Sequence, residues 1–502
     1  MPVRRRLASA LAAGIAALGL LAGCASPPAP GEVPETSAFR SAAEQRLGDE
    51  THPKILARYG GAYEDHAIAG HVTRIGRRIA AVSEQPDARW TFTVLDSPTV
   101  NAFALPGGYV YVTRGLVALA DDEAELAGVI GHEIGHVTAG HSALRRERGQ
   151  VAGLGLLLGG LGLAVAGVDP SVARGVLEAG QAAAGGVLAS YSRTDELAAD
   201  SLGVRYIARA GYDPYAQADF LESMSALAAL EARLAGQPYD PARVDFFASH
   251  PATAERTRRA VAVADSAEGL ASIGADRRRD AFLEAIDGMV YGQNPEQGVV
   301  EGRRFLHPKL RFAWEVPRGF SIENGARAVV ATGPRGARLI LEAGRDPGGS
   351  LERFIAREWL PAIAGEARLG RVQGPRGLRI DGLDAAEAAA PVAAGNARLE
   401  MHLTAIRHGG RIYRLTALAP AGSGLLPEMR AAGRSFRRLS EAEARTIRPR
   451  RIAVATVRPG DTVASLAARM RVEDAPEARF RVLNDLGPRE RLAPGQRMKL
   501  VR

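Results

Sequence analysis

Residues 132–136 read His-Glu-Ile-Gly-His within a long apolar run from Glu123 to Ala139, introduced by Asp121 and Asp122 as N-cap candidates. Two imidazoles at i and i+4 meet only if the stretch is an α-helix, and both then lie on one face. From that face they can reach a single Zn²⁺. Glu133 stands beside them, placed to take a proton from an attacking water and pass it to a leaving amine, as peptide hydrolysis near neutral pH requires.

A catalytic zinc takes three protein ligands and keeps one position open, so a third donor should project from another helix. The segment Asp195-Glu196-Leu197-Ala198-Ala199-Asp200, inside a helical run from Ser192 to Ala210, offers Glu196. Asp200 follows one turn later on the same face and can accept the outer N–H of a zinc-bound histidine. Carboxylates four apart are also the pattern of a solvated helix face, and spacing alone leaves both readings of Glu196 open. His141, five residues past His136, is off the shared face and reads as a structural or supporting group. His66 and His71 are not at ligand spacing and read as solvated or hydrogen-bonded.

A length of 502 residues suggests about three domains, and 46% hydrophobic with 24% charged residues is ordinary globular composition. The net charge of +8 is carried without any dense basic run, which argues against nucleic acid as a partner. The expected fold class is α+β. A mainly helical domain, 37–265, carries a small sheet in which Thr91–Leu95 and Tyr109–Thr113, either side of Pro106-Gly107-Gly108, form a hairpin-like edge. Residues 266–304 read as a connector with a short helix near 280–289. Residues 305–437 read as a small α+β binding or spacer domain with strands at 311–316, 337–343, 397–407 and 411–418 and an amphipathic helix at 351–363. The last 50 residues read as a separate unit. The charge-free stretch Val151–Val168 holds six glycines, which favours a buried hairpin or an apolar lid over a membrane span.

At the N-terminus, Arg4 to Arg6, the apolar Leu7 to Leu20 and Leu21-Ala22-Gly23-Cys24 together resemble a bacterial lipoprotein signal peptide, residues 1–23. The resemblance implies cleavage before Cys24, the single cysteine, and lipidation of its thiol. Residues 24–36, rich in proline, would then be a tether from the membrane, with Ala25 after the cysteine leaning toward the outer membrane.

Asn101 to Gly108, Tyr111 to Leu116, the His132–His136 helix, Glu196 to Asp200 and Ser249-His250-Pro251 with Arg256 occur in an order that resembles the gluzincin metallopeptidases. That family includes HtpX and the CAAX prenyl proteases; the likeness is to its soluble lipoprotein members of the periplasm and covers about residues 50–262. It implies one zinc on His132, His136 and Glu196, with Glu133 as general base and Asp200 orienting a ligand. It further implies that Asn101, Ala102, Phe103 and Ala104 form an edge strand that holds an extended substrate by β-augmentation. His250 and Arg256 would polarise the scissile carbonyl and stabilise the oxyanion, or His250 would occupy the open zinc position and hold the enzyme latent.

Val457 to Ala467, Leu483 to Leu486 and Leu492 to Leu500 resemble a LysM domain, residues 453–501, read as a βααβ unit. That resemblance implies binding to peptidoglycan. The first functional expectation is a zinc metalloendopeptidase of the bacterial cell envelope that hydrolyses unfolded or misassembled envelope proteins. Its rival is a largely latent protease acting as a scaffold in outer-membrane assembly, and a third reading is hydrolysis of peptidoglycan peptides.

Overall fold

The computed structural model describes residues 42–141, 191–240, 246, 250, 254–267, 276–325, 328–364, 368–394 and 397–502. The signal segment, Cys24, the tether and Val151–Val168 lie outside the described residues. Among those described, no helix is long and apolar enough to cross a membrane.

Helices α1 (Ala42–Arg58) and α2 (His66–Ala80) precede a three-stranded sheet of β1 (Thr91–Leu95), β2 (Ala102–Leu105) and β3 (Tyr109–Thr113). The strand order is β1-β3-β2, which leaves β2 with one neighbour and a free edge. The expected hairpin is corrected here. β1 pairs with β3 in parallel, Thr91 opposite Tyr109, and the hairpin is instead β2–β3, antiparallel. The segment between β1 and β2 carries the chain back across the sheet, so the Pro-Gly-Gly bend joins β2 to β3.

Helix α3 (Arg114–Leu119) leads into α4 (Glu123–Thr138), which carries the histidine motif. Asp122 caps α4, its Oδ1 accepting from the Glu125 amide at 2.9 Å. Every residue of α4 is buried, which explains an apolar pattern on all sides in place of a single stripe. Helix α5 (Arg193–Arg209), opened by a reciprocal Ser192–Asp195 capping box, packs along it, followed by α6 (Ala216–Leu234) and α7 (Ala254–Ala267). Contact between α4 and α5 is made through glycines: a Cβ on Gly203 would stand 3.0 Å from the His132 amide nitrogen, and one on Gly131 3.2 Å from the Gly203 carbonyl.

Helix α8 (Arg279–Ile286) buries Phe282, Leu283 and Ile286 in the same core, so this part of the expected connector is a packed element. Beyond it, β4 (Val290–Tyr291) leads to a four-stranded sheet of β5 (Val299–Glu301), β6 (Arg304–His307), β7 (Phe312–Glu315) and, from later in the chain, Arg437–Arg438. An eight-stranded sheet then forms from β8 (Ser321–Asn324), β9 (Ala328–Thr332), β10 (Arg338–Arg345), β11 (Arg368–Leu369), β12 (Gln373–Ile380), β13 (Leu383–Ala394), β14 (Ala397–His408) and β15 (Arg411–Pro420). This region holds more strand than the sequence pattern indicated. The Ala-rich β13 escapes a propensity argument because alanine is a poor strand former, yet Ala386 and Ala388 are buried by cross-sheet packing.

The C-terminal unit runs β17 (Arg450–Thr456), α12 (Val463–Ala467), α13 (Pro476–Leu483) and β18 (Arg497–Val501), counting Arg437–Arg438 as β16 and naming the intervening helices Leu351–Ala364, Leu426–Arg434 and Glu441–Thr446 α9, α10 and α11. It does not stand apart. Ile452, Leu466, Phe480, Met498 and Leu500 belong to one apolar cluster with α2, α4 and α8, and β17 pairs with β4. The Lys499 ammonium, fully buried, donates to the carbonyls of Ala118, Leu119 and Ala120 at 3.2, 3.1 and 2.6 Å.

Candidate metal centre

Helical spacing brings His132 and His136 to one face of α4, their Nε2 atoms 3.0 Å apart. Glu196 on α5 meets them, Oε2 at 3.5 Å from His132 Nε2 and Oε1 at 3.3 Å from His136 Nε2. His250 closes the group with Nδ1 at 3.2 Å from His132 Nε2 and 2.9 Å from Glu196 Oε1. The donor atoms of these four buried residues lie within 4.8 Å of one another, close enough to hold one metal ion. Donors about 2.0–2.1 Å from a tetrahedral zinc stand roughly 3.3 Å from each other, which is the spacing found here.

Behind the donors is a frame of oriented partners. His132 Nδ1 is 2.8 Å from Asp200 Oδ1, and Gln217 Nε2 donates to the same oxygen at 2.9 Å. His136 Nδ1 is 2.8 Å from His141 Nδ1, and the Tyr191 ring stacks on His136 with centroids 3.8 Å apart. Phe246 stacks on His250 at 4.6 Å, and its amide donates to the Val100 carbonyl at 3.1 Å. Sequence reasoning gave no signal for Tyr191, Gln217 or Phe246, since none stands at a spacing tied to the histidine motif.

Arg256 is drawn into the same frame. Its Nε and Nη2 donate to Asp200 at 2.7 and 2.8 Å, and its Nη1 reaches the His250 carbonyl at 3.1 Å and Glu196 Oε2 at 2.9 Å. All three of its nitrogens are engaged with the ligand frame. Asp200 acts through His132.

The charges are set by these contacts. Burial pushes the Glu196 carboxyl up, but His250 and Arg256 outweigh it and hold it well below the usual carboxylate range. Burial also opposes ionisation of Asp200, and Arg256 with His132 overcomes it. Burial and the neighbouring His132 push His136 well below the usual imidazole value, which keeps its Nε2 lone pair available. Against burial, Glu196 and Glu133 raise His250.

Glu133 is fully buried, and among the described residues neither of its carboxylate oxygens has a hydrogen-bond partner; His250 Nε2 lies 3.5 Å from Oε1. A buried, unbonded carboxylate beside a cluster of imidazoles is costly unless something binds there. Ala102 to Ala104 lie on the free-edged strand, with Asn101 just before it: Ala102 and Ala104 face the core and Phe103 the opposite side, toward Tyr59 and Tyr111.

The model of "Peptidase family M48" matches residues 67–264. That stretch belongs to peptidase family M48. Within the M48 domain fall all the donor residues together with Glu133, Asp200 and Arg256. Similar proteins include the "Mitochondrial metalloendopeptidase OMA1" of Schizosaccharomyces pombe, 28% identical over 43% of this chain and 59% of its own length. The "Beta-barrel assembly-enhancing protease" of Escherichia coli strain K12 is 30% identical over 36% of this chain and 37% of its own length. "Metalloendopeptidase OMA1, mitochondrial" of Bos taurus is 31% identical over 39% and 36% respectively. The chain thus spans less than two thirds of the length of each of these relatives, and the likeness is one of M48 domains.

Proposed function

We propose that the protein is a zinc-dependent metalloendopeptidase of a bacterial cell envelope that cleaves unfolded or misassembled polypeptides held in extended form. The observation that carries this reading is the buried, unbonded Glu133 carboxylate beside the donors of His132, His136 and Glu196. The chemistry supplied by Zn²⁺ when bound there is Lewis acidity toward a water and the scissile carbonyl. Glu133 then holds the attacking water and takes its proton, and the same carboxyl returns that proton to the departing amine nitrogen. Asp200 and His141 fix the tautomers of His132 and His136, and Arg256 holds Glu196 and Asp200 in register.

The free edge of β2 supports a substrate bound as an added strand, read through its backbone more than its side chains. The lipoprotein-like N-terminus supports anchoring through Cys24, and the LysM-like motifs with their βααβ order support a hold on peptidoglycan. The names of the relatives, a beta-barrel assembly-enhancing protease among them, are consistent with protein quality control at the envelope.

The test is zinc content with casein cleavage by the purified protein, beside Glu133→Gln. About one zinc per chain and cleavage that the substitution abolishes support the reading; cleavage that survives it, or a protein that takes up no zinc, overturns it. A second reading, a latent protease serving as a scaffold, draws on one observation: His250 already sits among the donors. If His250 closes the site, His250→Ala raises casein cleavage; if His250 assists the reaction, the same change lowers it.

A further inference from the structure

A cavity of about 290 Å³ opens beyond the M48 stretch, between two turns that the sheets bring together. The β6–β7 connection supplies Lys309, Leu310 and Arg311, and the β14–β15 turn supplies His408. His408 Nε2 donates to the Leu310 carbonyl at 3.0 Å and so ties the two turns together. Arg438 of β16, the buried Leu439 and Tyr413 of β15 complete the wall.

The charge of this wall has one sign. Lys309, Arg311 and Arg438 are exposed cations on it, and no carboxylate lines it. Lys309 pairs with Glu296 at 2.6 Å and Arg438 with Asp381 at 3.1 Å, both at the surface, where such pairs contribute little and exchange readily. Arg311 uses only its Nε, on the Leu439 carbonyl at 3.4 Å, and has no ion pair among the described residues. Arg411 has none either; it stands two residues before Tyr413 on β15, on the same face, and its charge acts on the Tyr413 hydroxyl.

Tyr413 is 1% exposed and fixed by Phe312 and Phe436, whose ring centroids are 4.8 and 5.0 Å from its own. Among the described residues its hydroxyl has no hydrogen-bond partner, yet that oxygen is not sealed from solvent, so the cavity is its outlet. Burial pushes the phenol up to about 12 against the pull of Arg411, which keeps it a donor. A buried phenol without a partner is costly unless something in the cavity accepts from it. Donors with excess positive charge select an oxyanion, and the two unpaired arginines match the charge of a phosphomonoester, about −1.5 to −2 at neutral pH.

We propose that this cavity binds a phosphomonoester group, with Tyr413 and Arg311 donating to its oxygens, Arg411 balancing its charge, and Lys309 and Arg438 turning to it from their surface partners. The site gives the region 305–437 a ligand of its own, apart from the metal centre.

Full-length protein, Arg311→Gln and Tyr413→Phe are each titrated calorimetrically with glycerol 3-phosphate. The same three proteins are sedimented with phosphatidylcholine vesicles, with and without phosphatidic acid, and the increment due to phosphatidic acid is read. Each substitution removes one hydrogen bond to the phosphate and should weaken binding about tenfold. Tyr413→Phe keeps the ring between Phe312 and Phe436; if it still disturbs the fold, Arg411→Gln, at an exposed position, takes its place. Calorimetric binding that the substitutions weaken supports the site with a soluble phosphomonoester as ligand. A phosphatidic acid increment that they weaken, without calorimetric binding, supports it with a lipid headgroup as ligand. Binding in neither arm, or binding that the substitutions leave unchanged, as it would be at the metal centre, overturns the site.

Discussion

Glu133 and Glu196 are both carboxylates at the same centre, yet their surroundings give them opposite work. Glu196 is held ionised by His250 and Arg256 and touches both motif histidines, whereas Glu133 has no hydrogen-bonded partner among the described residues. Glu196→Ala should therefore cost the protein its zinc, measured by metal analysis after dialysis, and a zinc-retaining variant would refute its role as ligand. Glu133→Gln should keep zinc and lower casein cleavage by about 10²–10⁴-fold. One step further out, Asp200→Ala or His141→Ala should weaken zinc affinity about 10–100-fold, read by competition with a chelator, because each leaves a histidine ring unoriented. The motif histidines were legible because a helix converts spacing into a shared face. Tyr191, Gln217 and Phe246 were not, because their approach depends on how helices and loops pack.

At the level of elements, the distance between α4 and α5 decides whether Glu196 reaches the histidines. Gly203 sets that distance: a Cβ there would stand 2.4 Å from Gln217 Oε1 and 3.0 Å from the His132 amide. Gly203→Val should lower stability by about 1–3 kcal/mol and release zinc as well, seen as a drop in both Tm and bound metal. In the eight-stranded sheet, Glu387 is almost fully buried under Arg434, which contacts both its oxygens at 2.7 Å, with Arg430 and His402 at 3.3 and 3.7 Å. Burial raises its carboxyl but Arg434 and His402 prevail, leaving it below the ordinary Glu value of 4.5. A depressed carboxylate stabilises the fold above the unfolded-state value and loses that contribution as protons are taken up below it. Urea melts should thus show stability falling as pH drops below about 4.5, and Glu387→Gln should be weaker at pH 7 with a flatter profile in acid. The parallel pairing of β1 with β3 belongs to this scale too, since alternation marks strands without naming their partners.

Across the whole molecule, the C-terminal unit is a structural part of the M48 domain's surroundings. Lys499 carries the point: its ammonium satisfies three carbonyls at the end of α3, immediately before the cap of the metal-bearing helix, and lies 3.4 Å from Asp121. Lys499→Met should destabilise the protein by on the order of 2–3 kcal/mol in urea melts, because those carbonyls stay buried without a donor. Deleting residues 449–502 should lower the Tm of the metal-bearing domain, where an independent module would leave it unchanged. The sequence by itself determined the metal-binding helix with its cap, the partner helix, the donor candidates and the order of elements in the last 50 residues, since all of these follow from local spacing, caps and turns. The tertiary structure alone decided the strand pairing, the turning of Arg256 onto the ligand frame, the approach of His250 to the other donors and the shared core with the C-terminus. Those depend on which apolar faces meet across hundreds of residues, and no local periodicity carries that information.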